Sequence, residues 1–99
     1  MAAIREDFRR SLPVRAQQLR TQWGNVARCR SPAAIAGLLR QVHTLKGSAA
    51  TFDFDVITLH ADGLMRILRP LSAQQRLPDA RETVRIEVLL EQIESHARG

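Results

Sequence analysis

The chain has 99 residues, enough for one domain with one modest core. Hydrophobic residues make up 44%, too many for a disordered chain, and no apolar run approaches the roughly 20 residues of a membrane span. Fifteen basic residues against ten acidic ones leave a formal charge of +5, and Lys46 is the sole lysine among the fifteen.

Taken in chain order, Met1 to Arg10 is charged and lacks an apolar stretch, so it does not read as a signal peptide and leaves the cytoplasm as the expected compartment. A short helix is predicted near Ile4–Arg10. Ser11-Leu12-Pro13 then looks like a helix start, because serine can cap free N–H groups and proline needs no donor in the first turn. Leu12, Ala16, Leu19, Trp23 and Val26 follow at helical steps, predicting a helix over about 12–28, with Gly24 a weak point in its last turn. Cys29, the only cysteine, excludes an internal disulfide and a cysteine-based zinc site, and fits a reducing compartment.

Ser31-Pro32 repeats the start signal. Ile35, Leu38, Leu39, Val42, Leu45 and Ala49 predict a helix over about 32–50. Ile57, Ala61, Leu64, Leu68 and Leu71 predict another over 54–69. Pro78, Asp79 and Glu82 mark a last start, with acids near the positive end of the helix dipole. Val84, Val88, Leu90, Ile93 and Ala97 form a less regular stripe within 78–97. No segment alternates with period two. The expected fold is all-α: a single domain over 1–99, an antiparallel four-helix bundle with a short N-terminal capping helix.

The densest chemistry lies in Val42-His43-Thr44-Leu45-Lys46-Gly47-Ser48-Ala49-Ala50. At about 100° per residue, His43 sits roughly 110° from the centre of the apolar stripe and faces outward or sideways. Lys46 and Gly47, three and four residues on, share its surface. A free imidazole has a pKa of about 6.5, so near pH 7 it offers a nucleophilic nitrogen. Phosphorylating that nitrogen adds roughly two negative charges, which an ammonium one turn away would stabilise as a mobile point charge. Glycine at the next position costs about 1 kcal/mol of helix stability against alanine, yet leaves room for another protein's backbone. The bland reading of the same pattern is an ordinary surface histidine.

The run His43-Thr44-Leu45-Lys46-Gly47-Ser48-Ala49-Ala50, with Leu38 to Val42 before it and Thr51-Phe52-Asp53-Phe54 after it, resembles the signature of histidine-containing phosphotransfer (HPt) domains. The resemblance implies an all-helical bundle with His43 exposed midway along one helix. It implies that His43 accepts phosphoryl from a receiver-domain aspartate and passes it to another receiver, with Lys46 holding the phosphoryl oxygens. Gly47, Leu39, Arg40 and Ala50 would form the docking patch. Such a chain is a phosphocarrier and not an enzyme, with no cofactor or metal of its own and magnesium on the receiver partner only. Its expected partners are receiver domains of response regulators or hybrid histidine kinases, met as a monomer, without nucleic acid or membrane. Two positions depart from the pattern. Asp53 stands where the family usually has glycine, and aspartate could cap the next helix from there. Met65 stands where the family often has glutamate.

Other residues have plainer readings. His60 is expected to flank the core, and His96 to complement the last helix's dipole. Three histidines far apart in sequence make a poor metal site. Cys29, between Arg28 and Arg30, reads as structural or incidental, and Trp23 as core. Of Phe52 and Phe54, one is expected to pack inward and the other could anchor a partner. Arg5, Arg9 and Arg10 are either a solvated face or a surface that steers an acidic partner. Two other function classes remain open at this level: a small basic nucleic-acid-binding protein, resting on the +5 charge, and a scaffolding bundle without transfer activity.

Overall fold

The computed structural model describes residues 2–98. Four helices account for nearly all of them: α1 (Ala2–Cys29), α2 (Pro32–Thr51), α3 (Asp55–Gln74) and α4 (Ala80–Arg98). The described residues contain no strand. Each helix packs on two others, α1 and α3 both lying against α2 and α4. The resulting bundle measures 41 × 20 × 19 Å. Its long dimension is that of α1 alone, since 28 residues rising ~1.5 Å each span about 42 Å.

The separate capping helix expected over Ile4–Arg10 does not exist. Those residues are the first turns of α1, which runs through Pro13 without a break. Proline in a helix interior forfeits one backbone hydrogen bond and costs about 3 kcal/mol. Burial on either side offsets that cost. Phe8, four residues before Leu12, continues the stripe of Leu12, Ala16, Leu19, Trp23 and Val26, and all six are buried. The Pro13 ring itself faces solvent. The same physics extends α3 past its expected end at Arg69. Pro70 lies inside the helix, exposed, between Leu68 and Leu71, which are both fully buried.

The core is the union of the four stripes, and among the described residues every buried side chain is apolar. Val84 and Val88, expected in the core, are instead 59% and 49% exposed. The inward face of α4 is Ile86, Leu90, Ile93 and Ala97, an unbroken 4-3-4 spacing that sets the phase and puts residue 84 on the opposite side. Met65 and Ile67 join the α3 face. Ser31 occupies the N-cap of α2 ahead of Pro32, but its side chain makes no capping hydrogen bond.

Three helices end on non-glycine residues with positive φ: Arg30 after α1, Asp53 after α2 and Gln75 after α3. At Asp53 the amide of Phe54 donates to the Ala49 carbonyl at 2.8 Å, and that of Asp53 to Ala50 at 3.3 Å. This pair of bonds is a Schellman closure. Asp53 therefore ends α2 and does not cap α3, whose N-cap is Phe54 without a side-chain bond. The start of α4 is a reciprocal capping box. The Glu82 amide donates to Asp79 Oδ1 at 2.7 Å, and the Asp79 amide to Glu82 Oε1 at 3.0 Å.

Candidate functional site

Helix α2 owes its orientation to Ile35, Leu38, Val42, Leu45 and Ala49, all turned into the core. His43, the next residue after Val42, is rotated about 100° from it and is exposed, as are Arg40, Gly47 and Ala50. Leu39, expected in the same patch, is half-buried and packs on the core. The Thr44 hydroxyl donates back to the Arg40 carbonyl, within its own helix. Arg40 and Thr44 also border a shallow cleft between α1 and α2 that Arg15 and Gln18 enter from the other side.

Lys46 is not a free cation. Its side chain is about one-third exposed, and its Nζ donates to Asp62 Oδ1 on α3 at 2.8 Å. The second oxygen of Asp62 accepts from Arg66 Nε at 3.0 Å. Asp62 thus holds two cations at once, and the hydrogen bond from Lys46 is the leading reason its carboxyl titrates below its ordinary range. Asp62 was missed in the sequence. Its four-residue spacing to Arg66 is a readable helical pair, but the bond to Lys46 joins two helices, and nothing local signals it.

Glycines differ in how close an added side chain would come to its neighbours. A Cβ on Gly37 would come within 2.8 Å of the Gln22 side-chain nitrogen, and one on Gly63 would touch Leu89 at 3.4 Å. A Cβ on Gly47 would meet nothing within 4 Å, and the same holds for Gly24. The protein's own packing therefore gives no reason for glycine beside His43. Gly24 shows that such openness is not distinctive by itself; its position one turn from an exposed histidine and next to the sole lysine sets Gly47 apart.

Residues with plainer readings find partners. Phe52 stacks on Phe8 and Phe54 meets the same ring edge to face, each with ring centroids 5.3 Å apart. Both are partly buried against the core, so neither stands out as an apolar anchor. Two of the three N-terminal arginines are engaged within the chain. Arg5 donates to the Phe52 carbonyl and lies over the Phe54 ring, and Arg9 pairs with Glu6. His60 is partly buried and stacks on His96 with centroids 5.8 Å apart. Burial, aided by the neighbouring His96, lowers its pKa from the ordinary imidazole value. Trp23 is core, and Cys29 is exposed. Among the described residues no group of three or more His, Cys, Asp and Glu side chains is placed to hold a metal ion, and no helix is long and apolar enough to cross a membrane.

Compared with known families, the chain matches the one described as Hpt domain, over residues 3–96. No curated protein and no solved structure gives a significant match.

Proposed function

The chain belongs to the Hpt-domain family, phosphocarrier modules that work with receiver domains in phosphorelays and have no catalytic activity of their own, and we propose that here the carrier residue is His43. The observation that supports this assignment is the exposed imidazole of His43 on the same face as the sole lysine, with Gly47 leaving that face open. In the forward step a ring-nitrogen lone pair attacks the phosphorus of a receiver's aspartyl phosphate. The new N–P bond forms as the P–O bond to the aspartate breaks, and the carboxylate departs as the leaving group. The return step to a second receiver reverses the same bonds. No water enters and no net proton is needed, which suits a module that supplies a nucleophile and a docking face while the receiver supplies magnesium.

In this reading Lys46 reaches the phosphoryl oxygens, and Gly47, Arg40, Ala50 and the exposed edge of Leu39 meet the receiver. The bundle is antiparallel. Arg5 near the start of α1 bonds the carbonyl of Phe52 beyond the end of α2, and Arg9 and Leu12 in the first half of α1 line one cleft with Ala97 and Arg98 at the end of α4; both contacts support that arrangement. The whole chain acts as one cytoplasmic, monomeric domain. Basic charge does not single out nucleic acid as the partner, because Arg9, Arg20, Arg66 and Arg76 are each paired with a carboxylate inside the chain.

The test is transfer from radiolabelled, phosphorylated receivers to the wild type and to His43→Gln. Wild type is expected to gain acid-labile, alkali-stable phosphate, and the variant none. Equal labelling of both would remove His43 from the role. A wild type that no receiver and no small phosphoryl donor can label would sink the relay reading and leave a scaffolding bundle.

A further inference from the structure

Asp62 lies on α3, away from the signature run, yet it is the residue that holds Lys46. Helical side chains lean toward the N-terminus of their helix, so Lys46 reaches back over the turn that carries His43. Its ammonium has three donors and one positive charge. With His43 bare, that charge is already matched by the Asp62 carboxylate at 2.8 Å. A phosphoryl group on His43 brings about two further negative charges into the same neighbourhood. The two anions then draw on one lysine.

Resting on the relay reading, we propose that Asp62 is a positioning residue that acts through Lys46: a resident counter-ion which the phosphoryl group must displace, so that the loaded form of His43 stays easy to discharge. Arg66 makes the exchange cheap. It occupies the other carboxylate oxygen at 3.0 Å from one turn along the same helix. When Lys46 turns to the phosphoryl group, Asp62 keeps a cation and is not left unpaired. Lys46 carries its charge on a flexible stem of rotatable bonds, so the swing needs no backbone movement. The pair is only partly buried, both side chains being about one-third exposed, so its strength is that of a part-exposed ion pair and the switch is a modest bias.

The experiment charges the full chain with phosphoramidate, which needs no receiver. The P–N bond of the reagent breaks, the ring N–P bond forms, and ammonia leaves with the imidazole proton. Charging at equilibrium is read by phosphorus NMR at fixed phosphoramidate and ammonium concentrations. Asp62→Ala and Asp62→Asn are each expected to shift the equilibrium toward phosphohistidine by roughly two- to fivefold, and Asp62→Glu to restore the wild-type value. In a Lys46→Ala background the Asp62→Ala shift should fall to less than about half on a logarithmic scale, because the coupling runs through the ammonium. Circular dichroism of each variant checks that the helices are intact, and Asp62→Asn, close to isosteric, serves if Asp62→Ala is not folded. An unchanged equilibrium, a shift toward bare histidine, an Asn variant that behaves as wild type, or a full shift without Lys46 would each overturn the inference while leaving the relay standing. A wild type that cannot be charged on His43 refutes the relay reading, and the inference with it.

Discussion

Replacing Asp53 by glycine removes a side chain that the backbone there accommodates only at a cost. Asp53 has φ of 62°, where the Cβ of an ordinary L-residue crowds the following carbonyl and costs about 1–2 kcal/mol. Aspartate falls at the low end because its short polar side chain tolerates this region. Against that relief stands glycine's larger entropy loss on folding, about 0.5–1 kcal/mol. The net expectation for Asp53→Gly is a gain of roughly 0.5 kcal/mol, and Asp53→Ala should move the other way by a similar amount. For a domain of this size each kcal/mol shifts Tm by about 4–8 °C, so Asp53→Gly should raise Tm by about 2–4 °C in a thermal melt followed by circular dichroism. The closing bonds of Phe54 and Asp53 to Ala49 and Ala50 are backbone bonds and survive the change. Arg30→Gly and Gln75→Gly, at the same kind of helix end, should add to it nearly independently. A lowered Tm for Asp53→Gly, or a raised one for Asp53→Ala, would refute the strain argument.

Other consequences concern the site and its supports. Gly47→Leu should fold at least as well as wild type, since a Cβ there meets open space and leucine favours helix by nearly 1 kcal/mol. It should nevertheless slow transfer from a receiver tenfold or more, roughly the penalty of a side chain forced into a close interface, while charging by phosphoramidate stays normal; unimpaired receiver transfer would count against the docking role. Lys46→Ala should lower the equilibrium charging of His43 without loss of helicity in far-ultraviolet spectra. Glu82→Ala should cost about 1 kcal/mol in urea unfolding, because it dismantles the α4 capping box. The carboxyl of Glu82 is held down to about 2, first by Arg76 and then by the Asp79 amide. Its contribution is therefore complete above its ordinary value near 4.5 and fades as pH falls toward about 2, and Glu82→Gln should flatten that part of the acid-unfolding curve. His60 binds its proton less readily folded than unfolded, so stability should fall as pH drops below the ordinary imidazole value of about 6.5. Urea midpoints measured from pH 7.5 to 5 should show that decline, and His60→Gln should reduce it.

Local spacing alone determined much of this protein. Leu12 to Val26, Ile35 to Ala49 and Ile57 to Leu71 name their helices and their inward faces, because a 3.6-residue period places every third or fourth side chain on one side whatever lies opposite. The same rule turned His43 outward before any neighbour was known, and the run from His43 to Ala50 carried the family. Tertiary structure decided the rest. Pro13 reads as a helix start and the helix ahead of Pro70 as ending at 69, yet Phe8 before the first proline and Leu71 after the second are buried, and packing outweighed the missing hydrogen bonds. Helix ends were hard to read because Arg30, Asp53 and Gln75 take the conformation in which glycine is the usual signal. In α4, valines at 84 and 88 competed with isoleucine at 86, and only the facing helices selected the phase. Most consequentially, Lys46 looked like a free cation one turn from His43. That it is already matched by Asp62 depends on two helices meeting across the bundle, and no periodicity within a single helix encodes which residue of another will face it.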